Sequence, residues 1–218
     1  MTTEQLQRRT NQLCEMMESR ERERAQWVRE LQHEMAQTLT GLRCHLAVIQ
    51  RSSDDTAVGR ARQAGELVDE LVHWLRDLTL RVRPPMLDDL GLGPTLTWYA
   101  NHLEQATGKH LHLSLQGLDP RLPYLCETAG FRAVAALLPE LLSDEQTSGV
   151  QLHVAVQGGM LWLFLSNAGP VPENGPVAVA IETVRSWVAW MEGTVRVDHE
   201  AGEAHIIVMI PAASPTGG

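Results

Sequence analysis

Cysteine is scarce: Cys14, Cys44 and Cys126 are the only three in 218 residues, and no two form a C-x-x-C pair. That spacing suggests neither a disulfide framework nor a zinc knuckle, and the reducing cytoplasm is the expected compartment. Positive charge is also in deficit. Eighteen Lys and Arg against 27 Asp and Glu leave a formal charge of −9, so nothing overall draws the chain to nucleic acid or an anionic membrane. No apolar run approaches the roughly 20 residues that span a bilayer. The polar start, rich in Gln, Arg and Glu, does not read as a signal peptide. No serine–histidine–acid triad, phosphate-binding loop or nucleic-acid motif appears.

Proline and glycine are missing next. From Thr3 to Ile49 there is no Pro and a single Gly, Gly41. Within that stretch Val28, Leu31, Met35, Leu39, Leu42, Leu46 and Ile49 recur in steps of three or four, one stripe along an α-helix. Leu6, Leu13 and Met17 continue a looser seam upstream, among alternating Arg and Glu that read as a solvated face. The polar break Arg51-Ser-Ser-Asp-Asp55 offers Asp54 or Asp55 as the cap of a second helix. That helix carries Val58, Leu67, Leu71, Trp74, Leu75 and Leu78, and Pro84-Pro85 stops it. A lone helical hairpin cannot cover its apolar stripe, so two copies are expected to form a four-helix bundle.

After Pro85 the texture changes. Helices are expected over Pro94–Thr107, Tyr124–Leu142 (interrupted at Pro139) and Val177–Met191. Strands are expected over His110–Leu115, Val150–Val156, Leu161–Leu165, Thr194–Val197 and His205–Ile210, with a Gly158-Gly159 turn. The whole reads as α+β: a hairpin in residues 1–85, an α/β sandwich in residues 86–213, and a disordered tail at 214–218. The six tryptophans are expected in the core and the dimer interface. His110-x-His112 places two imidazoles on one strand face without an evident third metal ligand, and no metal is assigned.

The segment Arg83-Pro-Pro-Met-Leu-Asp-Asp-Leu-Gly-Leu92, with Arg29-Glu-Leu-Gln-His-Glu-Met-Ala-Gln37 upstream, resembles the nitrate-sensor class of bacterial two-component histidine kinases. The resemblance implies a dimerisation and phosphoacceptor hairpin joined to a GHKL-type ATPase domain. It further implies a homodimer and a response regulator or partner kinase docked on the bundle. The family's phosphoacceptor box reads Arg-Glu-Leu-His-Asp, three residues, then Gln. In that register Gln32 occupies the histidine position, His33 the acidic neighbour's, and Gln37 keeps the amide that orients water against a regulator's acyl phosphate.

The resemblance also locates the nucleotide boxes. The Glu and Asn of the first fall at Ala136 and Glu140, where Pro139, Ser143 and Asp144 add a backbone break and negative charge. The adenine-binding Asp-x-Gly-x-Gly falls on Ser166-Asn167-Ala168-Gly169-Pro170, and the later glycine box on Ala180-Ile181-Glu182-Thr183. Like charges beside a triphosphate cost binding, so the expectation is a pseudokinase without a nucleotide cofactor. Trp187 and Trp190 fall on a nucleotide-facing helix of the family and either plug the pocket or face a partner.

Helical periodicity sets His33 opposite the apolar stripe, beside Glu34, with Gln37 one turn above and Gln32 nearer the stripe. Three roles remain open: docking alone, phosphotransfer through a displaced phosphoacceptor at His33, or hydrolysis of a regulator's phosphate assisted by Gln37. An active sensor kinase is the least expected.

Overall fold

The computed structural model describes residues 3–52, 54–143, 147, 149–168, 175–200 and 203–212. The expected tail at 214–218, the box residues Asp144, Gly169 and Pro170, and the side chains of Leu6, Leu13, Cys14, Met17, His73, Trp74, Leu78 and Asn167 lie outside the described residues. Two compact units make up the chain: Ser19–Val82, and Arg83–Gly218 grouped with Met1–Glu18.

Helix α1 runs Thr3–Ile49 and α2 runs Asp55–Val82. Asp54 is the cap between them. Its Oδ1 accepts the amides of Thr56 at 2.9 Å and Ala57 at 3.3 Å, two donors that a helix start otherwise leaves unpaired. Leu39 and Leu46 of α1 pack with Ala61 and Val68 of α2, both pairs seven residues apart, and Ala64 and Val72 flank them. The expected single stripe is therefore two seams. One faces the partner helix. The other, with Leu31, Leu42, Ile49, Leu67 and Leu71, stays exposed. The interhelical ion pair Arg43–Asp69 at 2.9 Å is more than half exposed on both sides and adds little to stability.

The second unit begins with a short helix the periodicity did not show, α3 at Pro85–Leu90, followed by α4 at Leu92–Thr107. Gly108 ends α4 in the left-handed region (φ +68°), its amide bonded to the Glu104 carbonyl. Strands β1 (His110–Gln116), β2 (Gly149–Gln157), β3 (Met160–Ala168), β4 (Thr194–Glu200) and β5 (Glu203–Pro211) form one sheet in the order β1-β2-β3-β5-β4. Only β1 and β2 pair in parallel; the other neighbours are antiparallel. Helices α5 (Tyr124–Ser143) and α6 (Pro176–Ala189) pack against each other, and α5 also packs on β2, β3 and β5.

Alternation along the strands fills one core. Val150, Leu152 and Val154, then Leu161, Leu163 and Leu165, then Ile206, Val208 and Ile210 are buried together with Phe131, Leu137 and Leu138 of α5. Burying each aliphatic side chain stabilises by about 1.5–3 kcal/mol. That burial explains one correction: α5 continues through Pro139. The proline lacks the amide that would donate to the preceding turn, costing about 3 kcal/mol, but Leu138, Leu141 and Leu142 beside it are buried and hold the helix. The expected place of the tryptophans in the core is a second correction. Trp27, Trp98, Trp162 and Trp190 are exposed and Trp187 is half-buried, so the core is mostly aliphatic and none of these five fills it.

Candidate functional site

Three groups of residues were singled out by the sequence: the outer face of α1, the start of the second unit, and the residues aligned with nucleotide boxes. On α1, His33, Glu34 and Gln37 are exposed and Gln32 is half-buried. His33 and Gln37 are brought together. Gln37 Nε2 lies 2.8 Å from His33 Nε2, one helical turn away. Glu34 takes no part in that pair; its carbonyl accepts the Thr38 hydroxyl at 2.9 Å. Exposed His45 and Cys44 lie further along the same helix.

The second group is a network of arginines that sequence spacing did not reveal. Arg83 is 2% exposed. Its guanidinium lies 3.9 Å from the Tyr124 ring centroid, donates to Asp88 Oδ1 at 3.0 and 2.8 Å, and donates to Thr128 Oγ1. Arg121 reaches back across more than thirty residues to donate to the carbonyls of Leu87 and Asp88, each at 2.6 Å, and to Glu127 Oε2 at 2.7 Å. The Glu127 hydrogen bond raises the Arg121 pKa, against the opposing effect of burial. Gly91 sits inside this network at φ +83°, where a Cβ would lie 3.1 Å from Arg121 Nε and 3.2 Å from Glu127 Oε1. Arg83 and Asp88 lie in the Arg83–Leu92 segment that carries the resemblance, whereas Glu127 gave no signal in the sequence. Arg121 left none.

The third group lies on α5, β3 and α6. Ala136, Pro139 and Glu140 are half-buried, and exposed Ser143 donates its hydroxyl to the Pro139 carbonyl at 2.7 Å. Ser166 is buried. Ala180 is buried, and the half-buried Thr183 donates to the Val179 carbonyl at 2.8 Å. The Arg132 guanidinium lies 5.8 Å from the Trp187 ring centroid, which ties α5 to α6. On the open face of the sheet, His112 and His153 line a cleft of about 380 Å³ with Phe164 and Ser166. Among the described residues no cluster of three His, Cys, Asp or Glu could hold a metal ion. No described helix is long and apolar enough to cross a membrane.

No family model matches the chain. It is 26% identical over 211 residues to the signal transduction histidine-protein kinase/phosphatase UhpB of Salmonella typhimurium, covering 93% of this chain and 42% of that one. It is 22% identical over 196 residues to the oxygen sensor histidine kinase NreB of Staphylococcus carnosus, covering 88% and 56%. Over most of its length the chain is similar to sensor histidine kinases. It spans about half the length of these two kinases. The blue-light activated histidine kinase EL346 of Erythrobacter litoralis shares the fold, with a TM-score of 0.51 at 17% identity, covering 85% of this chain and 60% of that one.

Histidine kinases use a magnesium nucleotide, and in the register that the resemblance implies the donor set here fits one poorly. Ala136 has no polar side-chain atom. Glu140 brings a half-buried carboxylate where a neutral amide would meet Mg²⁺ and phosphate. A carboxylate can ligate Mg²⁺, but beside a triphosphate it adds like charge. Ser166 offers a hydroxyl where a carboxylate would accept the adenine amino group, and Thr183 already spends its hydroxyl on its own helix.

Proposed function

We propose that this histidine-kinase relative is a two-component signalling protein that does not phosphorylate itself from ATP. It acts as a dimer, docking a response regulator or a partner kinase on its helical hairpin. In this reading residues 1–85 recognise the partner and residues 86–213 are a retained scaffold. The observation that carries it is the replacement on α5, where Ala136 and the half-buried Glu140 stand in place of the Mg²⁺-binding box. The exposed leucines of the hairpin support the dimer, since a second copy would remove them from water. The purified 218-residue chain should retain one or more receiver domains in a binding assay without nucleotide, and His33→Ala and Gln37→Ala should leave that affinity within about threefold. A monomer at micromolar concentration that retains no receiver would contradict the proposal.

A second reading has its own observation. The exposed His33–Gln37 hydrogen bond holds an amide on the outer face of α1, at the position where the family resemblance implies an amide that orients water against a regulator's acyl phosphate. UhpB carries the name kinase/phosphatase. In that reading Gln37 assists hydrolysis of the regulator's phosphate, and Gln37→Ala abolishes the acceleration while leaving docking intact.

A further inference from the structure

We propose that His33 is a positioning residue that holds the Gln37 amide, and that it is not a carrier of phosphate. This rests on the phosphatase reading of Gln37. The 2.8 Å contact joins the two side chains, and in this proposal the Gln37 N–H is the donor and His33 Nε2 the acceptor. That arrangement places the ring proton on Nδ1. Two consequences follow for the amide. Its N–H is committed to the ring, and its Oε1 is left as the acceptor for an incoming group. A solvent-exposed glutamine otherwise samples many rotamers, and the bond to a neighbour on the same rigid helix removes that freedom before a partner arrives.

The imidazole loses what a phosphate carrier needs. The Nε2 lone pair that would attack phosphorus is already engaged by the Gln37 N–H. The same geometry gives a chemical reason for the residue type at 33. A carboxylate, which the family resemblance implies at this position, and a neutral imidazole share one property toward Gln37: each accepts a hydrogen bond one turn away. The replacement changes charge and keeps the acceptor.

The step is hydrolysis of a receiver's aspartyl phosphate. A water oxygen attacks phosphorus in line with the bond to the aspartyl oxygen, with Gln37 Oε1 accepting a hydrogen bond from that water. The phosphorus–oxygen bond to the receiver breaks, its electron pair stays on the aspartate carboxylate, and the water's proton leaves with inorganic phosphate or to solvent. No phosphoryl group passes to His33.

The test uses the full chain, ¹⁵N-histidine NMR, and receiver domains from the same organism charged with acetyl phosphate. At neutral pH the His33 resonances should show a bare Nε2 and a protonated Nδ1, and Gln37→Ala should shift that tautomer balance. His33→Leu should lower kcat for hydrolysis about three- to tenfold, the size of one neutral hydrogen bond, with KM unchanged. His33→Asp should restore the rate, and the wild type should carry no acid-labile, base-stable label. If His33→Leu matches the wild type while Gln37→Ala is inactive, positioning is overturned and the phosphatase reading stands. If Gln37→Ala matches the wild type, or no receiver is hydrolysed faster, the phosphatase reading and this proposal fall together. Label on His33, lost in His33→Asp along with turnover, would make it a phosphate carrier and overturn the proposal.

Discussion

The two units hide their apolar surface in different ways. In the α/β unit one face of a five-stranded sheet and its helices enclose a continuous, mostly aliphatic core, with Phe131, Leu137, Leu161, Leu163 and Ile206 fully out of water. Among the described residues of the hairpin, Leu39, Leu46, Ala61 and Val68 form the packed cluster, while Leu67 remains 61% exposed and Leu31 51%. The α/β unit completes its own core. The hairpin does not, and it needs a second surface. The difference is what the proposed division rests on, with recognition on the hairpin and scaffold in the α/β unit.

The comparison can be broken from either side. The largest effect is expected inside the α/β core. Phe131→Ala removes a fully buried ring that meets Tyr99 edge-on at 5.5 Å, and should cost about 3–5 kcal/mol. Near-ultraviolet circular dichroism should report an early loss of α/β packing, while sedimentation should still report a dimer. The converse variant, Leu31→Glu with Leu67→Glu, should leave the α/β transition within about 1 °C. It should weaken the dimer by about 1.5–3 kcal/mol per leucine, seen as dissociation in sedimentation equilibrium. Loss of α/β packing in that variant would remove the distinction between the units.

The smallest effect concerns thiols. Burial, with Glu127 adding, pushes the Cys126 thiol up to about 12. An unfolded thiol ionises near ~8.5, so above that pH the unfolded state gains charge while the folded state stays neutral. The Cys126 contribution is therefore full below the unfolded value and is lost as pH rises towards about 12. At pH 8 a thiol reagent should label exposed Cys44 promptly and buried Cys126 only as fast as the protein opens. Cys126→Ala should flatten the alkaline loss of stability.

How much of this could be read from the chain alone depends on how local each cause is. The hairpin was visible because its determinants are local: apolar steps of three and four, no proline, and Asp54 at the break. The same periodicity set His33 and Gln37 on the outer face. It could not show their hydrogen bond, which depends on side-chain rotamers. Where tertiary contacts decide, sequence reading failed. Pro139 stays helical because its neighbours are buried, and the six-residue α3 is held by Arg121 from over thirty residues away. The tryptophans misled for a related reason: the sheet and α5 supplied enough Leu, Ile and Val to close the core without them.

Calorimetric titration of the purified protein with Mg-ATP decides whether this kinase relative works without ATP. No saturable heat is expected up to millimolar nucleotide. Saturable binding at micromolar Mg-ATP would contradict it, because Glu140 and Ala136 would then belong to a working nucleotide site.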